Sequence, residues 1–229
     1  MLIIIDARAP EKVFQYFDKL GKVVKFKTEG ICYEGISGHP DIFMFQSQNQ
    51  LIVAPNLPVE YGKLFEKNTI PYQKGKLPVG NKYPQTAVYN ALETKHGLLH
   101  NTSITDPTIT FNVKQFIHCR QAYVRCTTIE LGDVLITSDK GIKRVLNNNS
   151  LNSFYVDPQN IVLQGFKNGF LGGCCGVWKN FFYFCGSLKF LSNAEMFRET
   201  IDKQGYQLVE LFDGYPIDIG GIFFLNSNM

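Results

Sequence analysis

No apolar run in this sequence approaches the length of a membrane span. The longest, such as Phe181 to Phe184 and Ile222 to Leu225, have strand length, whereas a spanning helix needs about 20 residues. The N-terminus opens on Leu2-Ile3-Ile4-Ile5 and meets Asp6 and Arg8 at once. It lacks the basic start and the length of a signal peptide, and it reads as a buried strand of a cytoplasmic protein. Basic residues form no stripe, so neither nucleic acid nor a membrane is an expected partner. Six cysteines occur without CxxC spacing, which excludes the common structural zinc patterns and leaves free thiols as the expectation. HExxH, GxGxxG and a Gly-Lys-Ser/Thr phosphate loop are all missing, as is a nucleophile elbow. No cofactor is implied.

What is present is a globular core. Of 229 residues, 45% are hydrophobic and 19% charged, with a net charge of +3, a balance that a folded chain has and a disordered one lacks. The 19 Phe and 11 Tyr favour strands. Five short helices are expected. The first spans Glu11 to Leu20 after Pro10, and the second Val59 to Lys67 after Pro58. A third, capped by Asn112, presents Val113, Phe116 and Ile117. A fourth follows Ser138-Asp139, and a fifth begins at a Ser192/Glu195 capping box and stops at Gly205.

A strand precedes each helix: Leu2 to Ile5, Leu51 to Ala54, Thr108 to Phe111, Val134 to Thr137, and Phe181 to Phe184. Others follow, as at Val23 to Phe26, Phe154 to Val156 and Tyr206 to Leu211. Gly- and Pro-marked turns lie between the helices, at residues 35–41, 81–85, 130–133, 172–176 and 218–221. The unit of helix, strand, marked turn and apolar strand recurs about five times, irregularly. The last strand lacks a following helix and the first lacks a preceding unit, so the two ends can complete one unit together. The expectation is an α+β fold, a closed five-unit propeller of ββαβ repeats, in one domain over residues 1–229.

These phrases resemble the guanidine-modifying enzyme, or pentein, fold, and within it an uncharacterised bacterial branch. The resemblance is carried by residues 2–8, by Ser37-Gly38-His39-Pro40-Asp41-Ile42, by residues 79–84 and 135–142, by Gly169-Phe170-Leu171-Gly172-Gly173, and by Asp218-Ile219-Gly220-Gly221-Ile222. It implies an α/β-propeller shared with arginine deiminases, amidinotransferases, dimethylarginine hydrolases and a translation factor without an active site. The enzymes use a cysteine thiolate, a histidine and carboxylates on a guanidinium. Their cysteine lies in the last unit, where this chain has none.

Three groups are candidates for chemistry. His39 and Asp41, two apart entering a strand, would face one side; the alternative is a turn cap with a satisfied histidine. Asp133, with Glu130 three residues before, would meet Asp41 at a common axis if the units are related by rotation; the alternative is turn chemistry. Cys174 and Cys175 follow two glycines and offer a nucleophile, or are small residues in a crowded core. The resulting expectation is a small cationic, guanidine- or amidine-like ligand in a central pocket. Cys174 or Cys175 would be nucleophile, His39 acid/base, and Asp41, Asp133 and Glu130 would hold the substrate. The alternative is non-catalytic binding on the same scaffold. Oligomeric state is left open.

Overall fold

The computed structural model describes residues 1–111 and 113–227. The chain starts with β1 (Leu2–Asp6), α1 (Glu11–Phe17) and β2 (Lys22–Phe26), and a short helical turn α2 (Pro40–Phe43) leads into β3 (Met44–Gln46). Next come β4 (Leu51–Val53), α3 (Val59–Lys67), β5 (Gln73–Lys74), β6 (Leu92–Thr94), β7 (Gly97–His100), α4 (Pro107–Thr110) and β8 (Phe116–His118). A second helical turn, α5 (Val124–Thr127), precedes β9 (Thr128–Leu131), β10 (Val134–Thr137), α6 (Lys140–Asn148) and β11 (Ser153–Tyr155). A 3-10 turn at Gly172–Cys174 then opens β12 (Cys175–Trp178), β13 (Phe181–Phe184), α7 (Ala194–Lys203), β14 (Gln207–Glu210) and β15 (Phe223–Leu225).

The strands form five separate three-stranded sheets of one pattern: β15-β1-β2, β3-β4-β5, β6-β7-β8, β9-β10-β11 and β12-β13-β14. Each middle strand is antiparallel to the first strand of its sheet and parallel to the third. The antiparallel pair needs only a tight turn, whereas the parallel pair needs a crossover, here through a helix or helical turn. The first sheet takes strands from both ends of the chain, with Leu2 opposite Leu225 and Ile4 opposite Phe223. No helix is long and apolar enough to cross a membrane among the described residues.

Middle strands β1, β4 and β10 are buried along their whole length, and β7 and β13 at all but their first residue, because both faces are covered. In β1, Leu2, Ile3, Ile4 and Ile5 are all 0–1% exposed, which explains a continuous apolar run in place of alternation. Two expected helices form at residues close to those read from sequence. α3 occupies Val59–Lys67, and α6 begins where the Asp139 carboxylate accepts the Ile142 N–H at 2.8 Å. At α7 the flanking residue is Asn193, which makes no side-chain cap, so the Ser192/Glu195 box does not form as a cap.

The third expected helix is overturned. Phe116–His118 is a strand paired in parallel with β7, and Asn112, its expected cap, lies outside the described residues. The expected strand Thr108 to Phe111 is largely helical instead, in α4. Asp106 caps that turn by accepting from Thr108 N at 2.8 Å, with Pro107 at the first helical position. An Asp-Pro start outweighs the β-branched run behind it.

Phe197 on α7 is fully buried and its ring lies 5.7–6.4 Å from those of Phe154, Phe182 and Phe184. Phe197→Ala empties that contact between helix and sheet. Its unfolding free energy in urea titration is expected to fall by about 3–5 kcal/mol.

Candidate functional site

The segments just before the inner strands carry the polar residues of the centre. Asp41 on α2 stands three residues before β3, and Arg125 on α5 three before β9. Asn90 stands two before β6, and Gly220-Gly221 end two before β15. The ends of middle strand β1 and of the chain add Asp6 and Asp218.

His39 is the hub, 3% exposed. Its Nε2 lies 3.7 Å from Asp6 Oδ2 and its Nδ1 3.8 Å from Asp218 Oδ1, and Nε2 has no hydrogen-bond partner. Asp218 accepts from Phe170 N at 2.9 Å and Gly220 N at 3.1 Å. This packing leaves no room for side chains nearby. A Cβ at Gly173 would collide with the Asp218 carboxylate, and one at Gly220, whose φ is +65°, with the His39 ring base.

Asp6 is matched by a cation. Arg8 donates from Nε to Oδ1 at 3.0 Å and from Nη2 to Oδ2 at 2.6 Å, then spans to the Glu34 and Gly35 carbonyls at 2.6 and 3.1 Å. That bond to Asp6 raises the guanidinium's already high pKa. Asp41 is not matched. It is 0% exposed and neither carboxylate oxygen has a hydrogen-bond partner. Burial pushes its pKa up to about 6, against the pull of the Arg125 and His39 charges, and the Asp218 carboxylate pushes the same way as burial. Asn90 sits beside it, donating to the Asp41 carbonyl at 3.2 Å and accepting from Cys126 N at 3.0 Å.

Two cavities reach this centre. One, of about 350 Å³, is lined by Asp6, Arg8, His39 and Asp218 with Val162, Leu163 and Ile217. The other, of about 290 Å³, is bordered by the inner strands of all five sheets and holds Arg125, Cys175 and Glu130. Among the described residues, no group of three or more His, Cys, Asp or Glu side chains is placed to hold a metal ion.

A family of unknown function (DUF6873) matches residues 4–223. The chain belongs to this family. No curated protein matches the sequence. In structure, this DUF6873 protein has the pentein guanidine-modifying fold. It is similar to C. jejuni agmatine deiminase at 10% identity and TM-score 0.56, over 91% of this chain and 86% of that one. It is also similar to a cysteine-to-serine mutant of DDAH from Pseudomonas aeruginosa in complex with citrulline, at 10% identity and TM-score 0.51, over 89% and 81%. A third similar structure is a dimethylarginine dimethylaminohydrolase adduct with 4-chloro-2-hydroxymethylpyridine, at 10% and 0.51, over 91% of each chain.

Within the DUF6873 chain the sequence candidates separate. His39 and Asp41 share the centre, though on the entry and first turn of helix α2 and not on a strand. Asp133 does not join them. It sits at the β9–β10 hairpin tip, its side chain 78% exposed and paired with Lys95. The residue that matches Asp41 in position is Arg125, because each stands three residues before the first strand of its sheet, β3 and β9. Glu130 lines the axial cavity instead, accepting the Lys95 N–H at 3.2 Å. Cys174 and Cys175 are buried, with Sγ donating to the Phe170 carbonyl at 3.4 Å and the Leu171 carbonyl at 3.0 Å. Burial pushes both thiols well above their ordinary range, the opposite of an activated nucleophile. Asp6 and Asp218 went unread as site residues, although an acid ending an apolar strand and one before Gly-Gly are legible signals. His100 is fully buried on β7, bonded to Thr105 Oγ1 and the Ala122 carbonyl, and its pKa falls to about 4 through burial.

Two outcomes follow from this electrostatics. Asp41 holds its proton up to about 6 in the folded chain against an ordinary 3.8, so folding takes up a proton between those values. Asp41's own contribution to stability is therefore greatest below about 4 and declines by about 3 kcal/mol as pH rises past about 6, while buried His100, lowered from 6.5 to about 4, contributes in the opposite direction. The difference between wild type and Asp41→Asn in denaturation curves recorded across the range should isolate the Asp41 part. For the thiols, iodoacetamide followed by peptide mass mapping should label half-buried Cys32 first and reach Cys174 and Cys175 only on unfolding. Fast labelling of either in the native protein would restore them as nucleophiles.

Proposed function

We propose that this chain is a closed five-unit propeller in one domain whose centre binds a small guanidine- or amidine-like cation. The cation occupies the cavity lined by His39, Asp218 and Asp6. Support for closure comes from the shared β15-β1-β2 sheet and from the axial cavity that all five inner strands border.

One observation carries the binding reading: three buried carboxylates meet two guanidinium groups. Asp6, Asp41 and Asp218 are 2%, 0% and 4% exposed. Arg8 neutralises Asp6 and Arg125 is the cation acting on Asp41, which leaves Asp218 with no guanidinium and only the His39 ring, 3.8 Å away and shared with Asp6. An uncompensated buried carboxylate is costly. The centre relieves that cost either by protonating Asp41 or by admitting a monocation. A planar cation with several N–H donors suits paired carboxylates better than a spherical ion does. The similar structures include an agmatine deiminase and a DDAH bound to citrulline, which agrees with this ligand class. Binding is favoured over thiol chemistry because both candidate thiols are hydrogen-bonded to carbonyls and hard to ionise.

Methylguanidinium and acetamidinium, titrated by calorimetry, test the proposal. Affinity should rise with pH through about 6 as Asp41 ionises, and Asp41→Asn should remove that dependence. Asp218→Asn should weaken binding roughly tenfold or more, the equivalent of about 1.4 kcal/mol. Equal affinity in wild type and both variants would remove the cation from this site.

A further inference from the structure

The axial cavity has the makings of a second site, with a ligand of different charge pattern. It lies at the hairpin end of the sheets, bordered by Gln46 of β3, Glu93 of β6, Glu130 of β9, Val177 of β12 and Phe224 of β15. The cation in its lining is Arg125.

Arg125 is held in place as if for a partner. Nη1 donates to the Gly172 carbonyl at 2.9 Å, and the guanidinium carbon lies 4.7 Å from the centre of the Phe223 ring. A Cβ at Gly221 would overlap Nη1, so that position can hold only glycine, whose φ of +78° also requires it. These three features fix the guanidinium plane. Yet of its five N–H donors, the Gly172 carbonyl is the one acceptor among the described residues. A fixed fork with free donors matches a carboxylate in two parallel bonds.

The acids of the cavity complete the pattern. Lys95, beside Glu130, spends its ammonium on Asp133 and gives Glu130 only its backbone N–H. Burial pushes the Glu130 carboxyl up, and nearby Glu93 adds to that. Glu93 also forms no ion pair among the described residues, accepting the Gln48 N–H at 3.2 Å. A plain anion entering here would bind Arg125 but face two carboxylates. A ligand with a carboxylate at one end and an ammonium at the other satisfies both.

We propose that the axial cavity binds a small zwitterion, its carboxylate forked on Arg125 and its ammonium on Glu130 and Glu93. The walls between them are apolar, from Ile129, Val177, Ile222 and Phe224. The cavity volume of about 290 Å³ accepts a short amino acid. This site stands apart from the cation site, and neither proposal needs the other.

The test uses the whole chain labelled with ¹⁵N at arginine side chains and titrated with glycine, β-alanine, γ-aminobutyrate, acetate, methylammonium and sodium chloride. One arginine Nε–H signal, assigned by its loss in Arg125→Lys, should shift saturably with at least one zwitterion. It should shift less with acetate and not with methylammonium or chloride. Glu130→Gln should weaken the zwitterion several-fold and leave acetate unchanged or tighter. Val177→Trp, at a residue 40% exposed, should block entry without touching Arg125, which keeps the test decisive if Arg125→Lys unfolds. An Arg125 signal unmoved by every probe, or moved equally by acetate and zwitterions, overturns the proposal. So does zwitterion binding that Val177→Trp leaves intact.

Discussion

The pairing of β15 with β1 is the contact on which the centre depends. It joins residues more than two hundred positions apart in three register pairs, Leu2–Leu225, Ile3–Phe224 and Ile4–Phe223. Closing so long a loop carries an entropic cost, and the apolar surface sealed by Phe223, Phe224 and Leu225 offsets it. Through it, Asp218 and Gly220 arrive against His39 and Asp6. Without it, the histidine would have one carboxylate beside it instead of two, and Phe223 would no longer lie beneath Arg125. The site is therefore a product of tertiary closure and not of any local motif.

Charge at that centre is arranged as a chain. Arg8 sits on Asp6, Asp6 beside His39, and His39 beside Asp218, while Asp41 lies within the fields of His39, Asp218 and Arg125. Buried charges interact strongly because little water screens them. Changing one member shifts the others, so single substitutions here should not be additive. The same burial that keeps Asp41 short of partners also makes the thiols poor nucleophiles. Cys126, which donates to Asn90 Oδ1 at 3.3 Å, is raised by burial and by the Asp41 and Asp218 charges together. Burial is thus the common cause of the raised Asp41 carboxyl and the raised thiols.

Much of the architecture was legible because strand and helix signals here are local. Pro58 before an amphipathic run gave α3, and Asp139 gave the start of α6. Reading failed where a short signal competes with a longer one. Thr108-Ile109-Thr110 has strand composition, but Asp106-Pro107 directs it into α4; Phe116-Ile117 has helical spacing from Val113, yet it pairs with β7. The site divided in the same way. His39 and Asp41 were read together because they adjoin in sequence, and both lie at the buried centre. Asp133 was aligned to Asp41 on turn composition, whereas the match in position depends on distance from the first strand of the next sheet, which points to Arg125. Asp6 and Asp218 are remote in sequence from His39; a strand end and a Gly-Gly mark each of them locally, but their convergence on one histidine is set by tertiary packing.

Arg125 is the residue at which the two ends of the molecule meet. It lines the cavity of about 290 Å³, and its charge also acts on Asp41, on the helical turn before β3. A carboxylate placed on its guanidinium would cancel part of the field that keeps Asp41 ionised. Asp41 would then hold its proton more firmly, and the centre would lose part of its demand for a cation. Linkage makes that effect mutual: a cation at the centre would stabilise ionised Asp41 and weaken the hold of Arg125 on an anion. The coupling needs no backbone movement, because it passes through one side chain fixed by Gly172, Gly221 and Phe223. If both cavities are occupied, they compete through charge, by way of the Arg125 and Asp41 side chains.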